Sequence, residues 1–458
     1  MTGVQTCALP ISADEPDRLV AVRKDAPLVA GLGEDGNFIA SDVPAILKET
    51  RDVYFIDNDE TVVLTRDDVK IYDDIKNPVE HQTEHIEWDI NAAEKGGYEH
   101  FMIKEIFEQP EGISETLRRR LTDSGEIRLD SISMTKRDIQ NIDRIYIVAC
   151  GTAYHAGIAG KYIIEKLVKI PVEADIASEF RYRDTFVDEH TLFIAISQSG
   201  ETQDTLAALR KAKKQGARVL SVVNVLGSSV TRESDDVFYT WAGPEIAVAS
   251  TKAYTTQLVC MYLLALKMGK QKGTVDQKYY NEILSGLKEI PKKLKEFLRN
   301  SGKIEKLAGK YCKREKIFFV GRGHDAGVSY EGALKLKEVS YINAFAIAAG
   351  ELKHGTIALM DKETLVIALA TQDALIEKMA SNIREITTRS AQVIGIAKKH
   401  NKDLKKYTDE IIYIPDCMDE LTPILSVVPL QLFAYYVAKN RGCDIDQPKN
   451  LAKSVTVE

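Results

Sequence analysis

Paired cysteines are missing from this sequence. Its six cysteines (Cys7, Cys150, Cys260, Cys312, Cys417 and Cys443) are scattered and form no CxxC pair. That leaves no disulfide framework and no thiolate zinc site, and it fits reduced thiols in a cytoplasmic protein. The eight histidines are dispersed too, with no HExxH-like ligand spacing, so no metal and no cofactor are expected. No run of about 18 or more apolar residues occurs, so no membrane span is expected. A Gly-x-x-x-x-Gly-Lys-Ser/Thr loop is absent, which argues against a nucleotide P-loop. Basic residues are outnumbered, 61 Lys and Arg against 68 Asp and Glu, for a formal charge of −7. That balance argues against nucleic acid as a partner. Residues 1–12 lack the basic start and apolar length of a signal peptide. They do not lead into the pattern that follows, and read as a scar or a truncated reading frame.

What is present is the composition of an ordinary soluble globular protein, 44% hydrophobic and 28% charged over 458 residues. That length implies two to four domains, since single cores stop growing at about 250–300 residues. Residues 13–72 are β-rich. Leu19–Val22, Leu28–Leu32, Val53–Ile56 and Thr61–Leu64 read as short strands separated by turns such as Gly33-Glu-Asp-Gly36. A helix is expected from Asp42, as N-cap, to about Thr50, with Pro44 in its first turn. This stretch looks like the end of a larger domain. Residues 73–139 read as a linker with some helix, carrying the acids Glu80, Glu84, Glu87 and Asp89, then helical periodicity over Phe101–Phe107 and Ile113–Leu121.

From residue 140 apolar strands alternate with helices. Ile145–Ala149 runs into Cys150-Gly-Thr152, and Leu192–Ile196 runs into Ser197-Gln-Ser-Gly200; Val219–Val223 follows. Continuous Val/Ile/Leu strands of this kind belong to a parallel sheet covered on both faces. The pattern then repeats. Lys316–Gly323 aligns with Arg144–Gly151 at a shift of 172, Leu365–Leu369 with Leu192–Ile196 at 173, and Val393–Ile396 with Val219–Val222 at 174. Two tandem doubly wound α/β domains are therefore expected, at 140–290 and 310–445, joined by a lysine-rich helical stretch near 277–310. A tail, 446–458, closes the chain.

Ligands of doubly wound sheets sit at the carboxyl ends of the strands. There the first copy places Ser197, Gln198, Ser199, Gly200, Glu201 and Thr202. Three hydroxyls and backbone N–H groups at a helix N-terminus make a cradle for a single phosphoryl group, although a plain capping turn has the same spelling. The second copy reads Ala370-Thr-Gln-Asp373, which has lost the cradle and gained an acid that would repel phosphate. It has its own constellation in Glu331, Lys335 and Glu338; Lys335 and Glu338 share one helix face. The plainer reading is a surface ion pair. The helix follows Gly321-Arg-Gly323, at the ligand end of the sheet, so its polar end would face the same pocket. His354, before Gly355 in an irregular polar segment, is a candidate acid/base. The tail Leu451–Glu458 is Pro-flanked on entry and apolar, with Lys453 in its middle. A lysine docked in apolar surroundings can lose its proton and attack carbonyls; a C-terminal strand with a solvated lysine is the simpler alternative. Together these parts suit a sugar phosphate: an anchor, a carboxylate to move a proton between adjacent carbons, a histidine for ring opening and a lysine for a Schiff base.

Four segments carry a closer likeness: Ser197-Gln-Ser-Gly-Glu-Thr202, Ala249-Ser-Thr-Lys-Ala-Tyr-Thr-Thr-Gln257, Gly350-Glu-Leu-Lys-His-Gly355 and Asp446-Gln-Pro-Lys-Asn-Leu-Ala-Lys-Ser-Val-Thr-Val-Glu458. As a set they resemble the glutamine–fructose-6-phosphate aminotransferase (isomerising) family over residues 13–458. The cradle alone would mark only the wider sugar isomerase (SIS) family. The resemblance implies two SIS domains, and conversion of fructose 6-phosphate and glutamine to glucosamine 6-phosphate and glutamate, the opening step of amino-sugar synthesis. It implies that Ser197, Gln198, Ser199 and Thr202 hold the phosphate, with Thr152, Val248, Ser250 and Ala452 as further substrate contacts. Lys453 would form the imine and Glu338 would be the base for C1–C2 proton transfer, with Lys335 beside it. His354 would assist ring opening from the partner subunit of a homodimer. Ala153 departs from relatives that carry a phosphate-contacting serine there.

The family also begins with an N-terminal cysteine nucleophile and a glutamine-binding half that this sequence does not spell. Residues 13–72 would be the last part of that half, and Cys7 is no substitute. Glutamine hydrolysis is thus not expected of this chain; at most it would isomerise fructose 6-phosphate and glucose 6-phosphate, or accept sugar phosphate as a ligand. Two rivals stand beside this reading: a free-standing phosphosugar isomerase or deglycase, and a non-catalytic sugar-phosphate-binding regulatory protein.

Overall fold

A computed structural model describes residues 7–8, 11–12, 14–24, 27–41, 43–86, 94–122, 125–129, 131–408, 410–453 and 455. Asp42, Glu87, Asp89, Ser454 and residues 456–458 lie outside the described residues, and with them the expected N-cap, part of the acidic stretch and the end of the tail.

The β-rich start folds into two antiparallel sheets. Glu15–Arg23, Thr61–Leu64, Val69–Tyr72 and Pro78–Val79 build one; Glu84–His85, Asp52–Phe55, Val29–Leu32 and Phe38–Ala40 build the other, in that order. Ala21, Ala30, Ile56, Val62, Leu64 and Ile71 meet in one buried core between them. The backbone of Cys7–Ala8 and Ile11–Ser12, set apart as a scar in the sequence, pairs with Glu15–Arg23. An exposed strand edge accepts any extended segment. The helix expected over 42–50 is only a 3₁₀ turn, Val43–Ala45, because so short a segment cannot repay helix nucleation. The described part of 73–100 contains short strands rather than helix.

Phe101–Arg118 is one continuous helix that passes through Pro110. A proline removes the hydrogen bond to the carbonyl four residues back. The side-chain amide of Gln109 fills that gap, donating to the Ile106 carbonyl at 3.0 Å.

Two five-stranded, all-parallel sheets follow. The first runs in the order Val172–Ile176, Arg144–Ala149, Thr191–Ser197, Arg218–Val223, Asp236–Tyr239. The second repeats it as Ala344–Ala348, Lys316–Gly321, Thr364–Ala370, Gln392–Lys398, Glu410–Ile414. Two tandem doubly wound units are what the repeat in the sequence implies. Gln277–Arg299 and Gly302–Tyr311 bridge them. One apolar core passes between the sheets through the helices Gly151–Val168, Lys252–Lys272, His324–Ser340 and Thr422–Arg441, while each sheet has its own outer layer. The stretch Asp419–Arg441 is long and apolar enough to cross a membrane by length and composition, contrary to the sequence reading, but it is enclosed by the other helices. Its uniform apolarity follows from burial on every side.

Candidate active site

Each sheet reverses direction between its first and third strands in chain order, and that switch point opens a crevice at the carboxyl ends. In the first domain the crevice is a cavity of about 250 Å³. Its floor is the turn after Thr191–Ser197. Ser197 Oγ accepts the N–H of Gly200 at 2.9 Å and lies 3.2 Å from Thr202 Oγ1. Gly200 has φ +70°, and a Cβ on it would stand 2.0 Å from Ser228 Oγ, so only glycine lets the loop close here. The helix Gln203–Lys214 starts at once, so its N-terminus, which no side chain caps, lies at the same turn.

One lining residue, Glu338, comes from the second domain. The helix His324–Ser340 crosses Gly151–Val168. The helix is about 25 Å long at 1.5 Å per residue, so only its start touches the ligand end of its own sheet. Its last two turns reach the first domain instead. Lys335 Nζ donates to Thr152 Oγ1 at 2.9 Å and pairs with Glu338 Oε2 at 2.6 Å and Glu331 Oε1 at 3.4 Å. Glu331 also takes His155 Nδ1 at 2.9 Å. Lys335 is fully buried, so the pair is no surface ion pair. Burial pulls the Lys335 ammonium down, but Glu331 and Glu338 outweigh it and hold it above its ordinary value. Burial pushes the Glu338 carboxyl up, and Lys335 only partly offsets this. A carboxyl so placed is suited to exchanging a proton.

The tail forms the lid. Leu451 and Val455 are half-exposed and line the cavity, and the Val455 carbonyl accepts the N–H of Gln203 at 3.2 Å. None of the tail's described residues 451–453 and 455 belongs to a strand. Lys453 Nζ points inward at three oxygens: Glu245 Oε2 at 2.7 Å, the Ala247 carbonyl at 2.8 Å and Ser250 Oγ at 3.3 Å. This corrects the expectation of apolar surroundings: a buried carboxylate faces the amine. Glu245 spends its other oxygen on the N–H groups of Thr251 and Ala253, at 2.8 and 3.0 Å, where the helix Lys252–Lys272 begins. Burial alone would raise the Glu245 carboxyl, but Lys453 and those N–H groups hold it at about 2.

Thr152, Ser197, Gln198, Ser199, Thr202, Val248, Ser250, Glu338, Ala452 and Lys453 all line this one cavity, with Ala153 among them. Lys335 stands one layer behind. His354 closes the 3₁₀ helix Ala349–His354, is exposed, and does not line the cavity. In the second domain Thr371 Oγ1 is closed onto Asp325 at 2.6 Å, and Asp373 pairs with Lys398 at 2.6 Å. The acid there is neutralised, so the cradle is lost by internal bonding rather than by repulsion. Sequence reasoning missed Glu245 and Glu105. The one signal for Glu245 is an acid after Pro244 in an otherwise apolar run. Glu201 was read only as part of the cradle; its carboxylate lies 3.6 Å from the buried guanidinium of Arg23 and ties the β-rich region to the cradle. Elsewhere Asp57, Glu60 and His81 bring ligand-type atoms within 4.8 Å of one another, but His81 pairs with Glu60 and Asp57 with Arg232.

Comparison with known proteins identifies the domains and the family. The SIS domain family matches residues 138–267 and 310–441. The glutamine–fructose-6-phosphate aminotransferase (isomerising) of Clostridium acetobutylicum is 58% identical over 448 residues, covering 98% of this chain and 74% of that protein. The enzyme of the same name from Caldanaerobacter subterraneus subsp. tengcongensis is 56% identical over 97% of this chain and 73% of its own. The solved C-terminal domain of glucosamine-fructose-6-phosphate aminotransferase from Francisella tularensis superposes with a TM-score of 0.75 at 42% identity, covering 77% of this chain and all of that one. The chain belongs to the glutamine–fructose-6-phosphate aminotransferase (isomerising) family and carries its two SIS domains.

Proposed function

We propose that the cavity takes fructose 6-phosphate and carries out the sugar half of glucosamine 6-phosphate synthesis. Ser197, Gln198, Ser199 and Thr202 bind the phosphate; Thr152, Val248, Ser250 and Ala452 line the sugar. The amine of Lys453 adds to C2 of the open-chain ketose, and the carbonyl oxygen leaves as water, forming C=N. Water releases the imine as the open-chain ketose; Glu338 then removes a proton from C1 and returns it to C2 while the C1 hydroxyl proton passes to the C2 oxygen, which moves the carbonyl to C1. Where ammonia is supplied it takes the place of the Lys453 amine at C2, and the same proton shift yields the amino-aldose. Lys335 holds Glu338 in place. His354, exposed and outside the cavity of its own chain, serves ring opening in the partner subunit of a homodimer.

The observation that carries this reading is the convergence of Lys453 Nζ, Glu338 and the Ser197–Thr202 turn on one cavity. A regulatory sugar-phosphate binder would need no amine among them. Borohydride reduction in the presence of fructose 6-phosphate is the test. A stable adduct mapped to Lys453, with interconversion of fructose and glucose 6-phosphates, is expected. Tight binding with no adduct would favour the regulatory alternative.

A further inference from the structure

Behind Lys453 stands a third carboxyl group. Glu105 lies on the helix Phe101–Arg118, 2% exposed, and its Oε1 accepts the N–H of Ile246 at 2.6 Å and of Ala247 at 3.1 Å. Those residues sit between Glu245 and Ser250, so this backbone carries the three oxygens around Lys453 Nζ. The other oxygen, Oε2, is buried and has no hydrogen-bond partner among the described residues. A buried carboxylate oxygen left without a partner is costly, and a proton on it removes most of that cost.

We infer that Glu105 is a positioning residue for the Lys453 amine: its carboxyl group fixes the backbone of Ile246 and Ala247, and through it the oxygens that hold Nζ. The inference rests on the imine role of Lys453 given above. The charged groups facing Glu105 are Glu245 from the loop, Lys453 from the tail and Lys252 from the following helix; Lys252 is itself paired with Glu108 at 2.7 Å. Burial and the like charge of Glu245 push the Glu105 carboxyl up to about 8. Glu245, held by Lys453 and two N–H groups, is the anion of the pair, and Glu105, whose second oxygen has no such partner, is the acid pushed towards its protonated form. While protonated, Glu105 adds no second negative charge behind the lysine. Once ionised, it favours the ammonium and opposes the neutral amine that attacks C2.

Glu105→Gln keeps an oxygen for the two N–H groups and removes the charge; Glu105→Ala removes both. Borohydride labelling of Lys453 with fructose 6-phosphate is followed across pH 6–10, alongside binding of the unreduced sugar phosphate. Glu105→Gln is expected to bind and label normally, with the midpoint of its pH profile shifted downward because the neutral amine forms more readily. Glu105→Ala is expected to bind but label more slowly, on the order of a hundredfold, as for a misplaced reacting group. An unshifted midpoint in Glu105→Gln together with wild-type labelling in Glu105→Ala overturns the inference. If Glu105→Ala does not fold, the midpoint of Glu105→Gln decides alone. Absence of label in the wild type overturns the imine reading itself, a result distinct from label that ignores Glu105.

Discussion

Asp446 caps the helix that begins at Phe101: its carboxylate accepts the N–H of Phe101 at 2.9 Å and of Met102 at 3.0 Å. Its own carbonyl accepts the N–H of Val248 at 3.1 Å. The tail is therefore fastened, at its first residue, to the helix that carries Glu105 and to the loop that receives Lys453. Asp446→Ala is expected to cost about 1 kcal/mol of stability, the usual cost of a lost N-cap. Denaturant unfolding measures that loss, and a slower reaction at Lys453 with unchanged phosphate affinity would mark the loosened tail.

Lys453→Arg keeps a cation opposite Glu245 but offers no amine that can form an imine. Isomerisation of fructose 6-phosphate is expected to vanish, while calorimetric binding of the sugar phosphate stays within about 1 kcal/mol of wild type. Residual turnover near the wild-type rate would remove Lys453 from the chemistry.

Gly200→Ala forces a Cβ onto Ser228 and a side chain into left-handed backbone. The strain is about 1–2 kcal/mol before any clash is counted. A rise in KM for fructose 6-phosphate on the order of tenfold is expected, with a smaller change in kcat, because the turn binds phosphate and not the reacting carbons. Steady-state kinetics separates the two.

If His354 acts across a homodimer, two inactive variants should restore one another. A mixture of His354→Ala and Lys453→Arg chains, unfolded and refolded together, forms mixed dimers with one intact site of two. Random pairing predicts about a quarter of wild-type activity for symmetric dimers. No recovery on mixing would place His354 in its own chain's site or in none.

The raised carboxyl of Glu105 sets a direction for stability. Between the ordinary 4.5 and about 8 the folded protein keeps this proton and the unfolded chain has lost it. Stability from this group thus falls as pH rises through that window. The Tm of wild type minus that of Glu105→Gln should therefore decline from pH 5 to pH 8. A difference that is flat or rises with pH contradicts the raised value.

Much of this could be read along the chain. The continuous runs Ile145–Ala149 and Ile317–Val320 announce buried parallel strands because each residue type is chosen by its local surroundings. The turn at Ser197–Thr202 announces itself for the same reason: its bonds join residues two to five apart. Helix length was harder. Pro110 broke the apparent periodicity, and only the side chain of Gln109 shows why the helix continues. The bond from Lys335 to Thr152 was not legible, since it depends on which helix crosses His324–Ser340.

By itself the sequence determined the two-fold α/β repeat, the phosphate-type turn and the lysine-bearing tail, all products of local backbone preference and short-range bonding. The tertiary structure alone decided what Lys453 meets. Its partner Glu245 is 208 residues away along the chain, and Glu105, behind that loop, lies on a helix of no obvious chemical character. Pairings of that range are set by how helices pack around a shared core, and no periodicity or spacing encodes them.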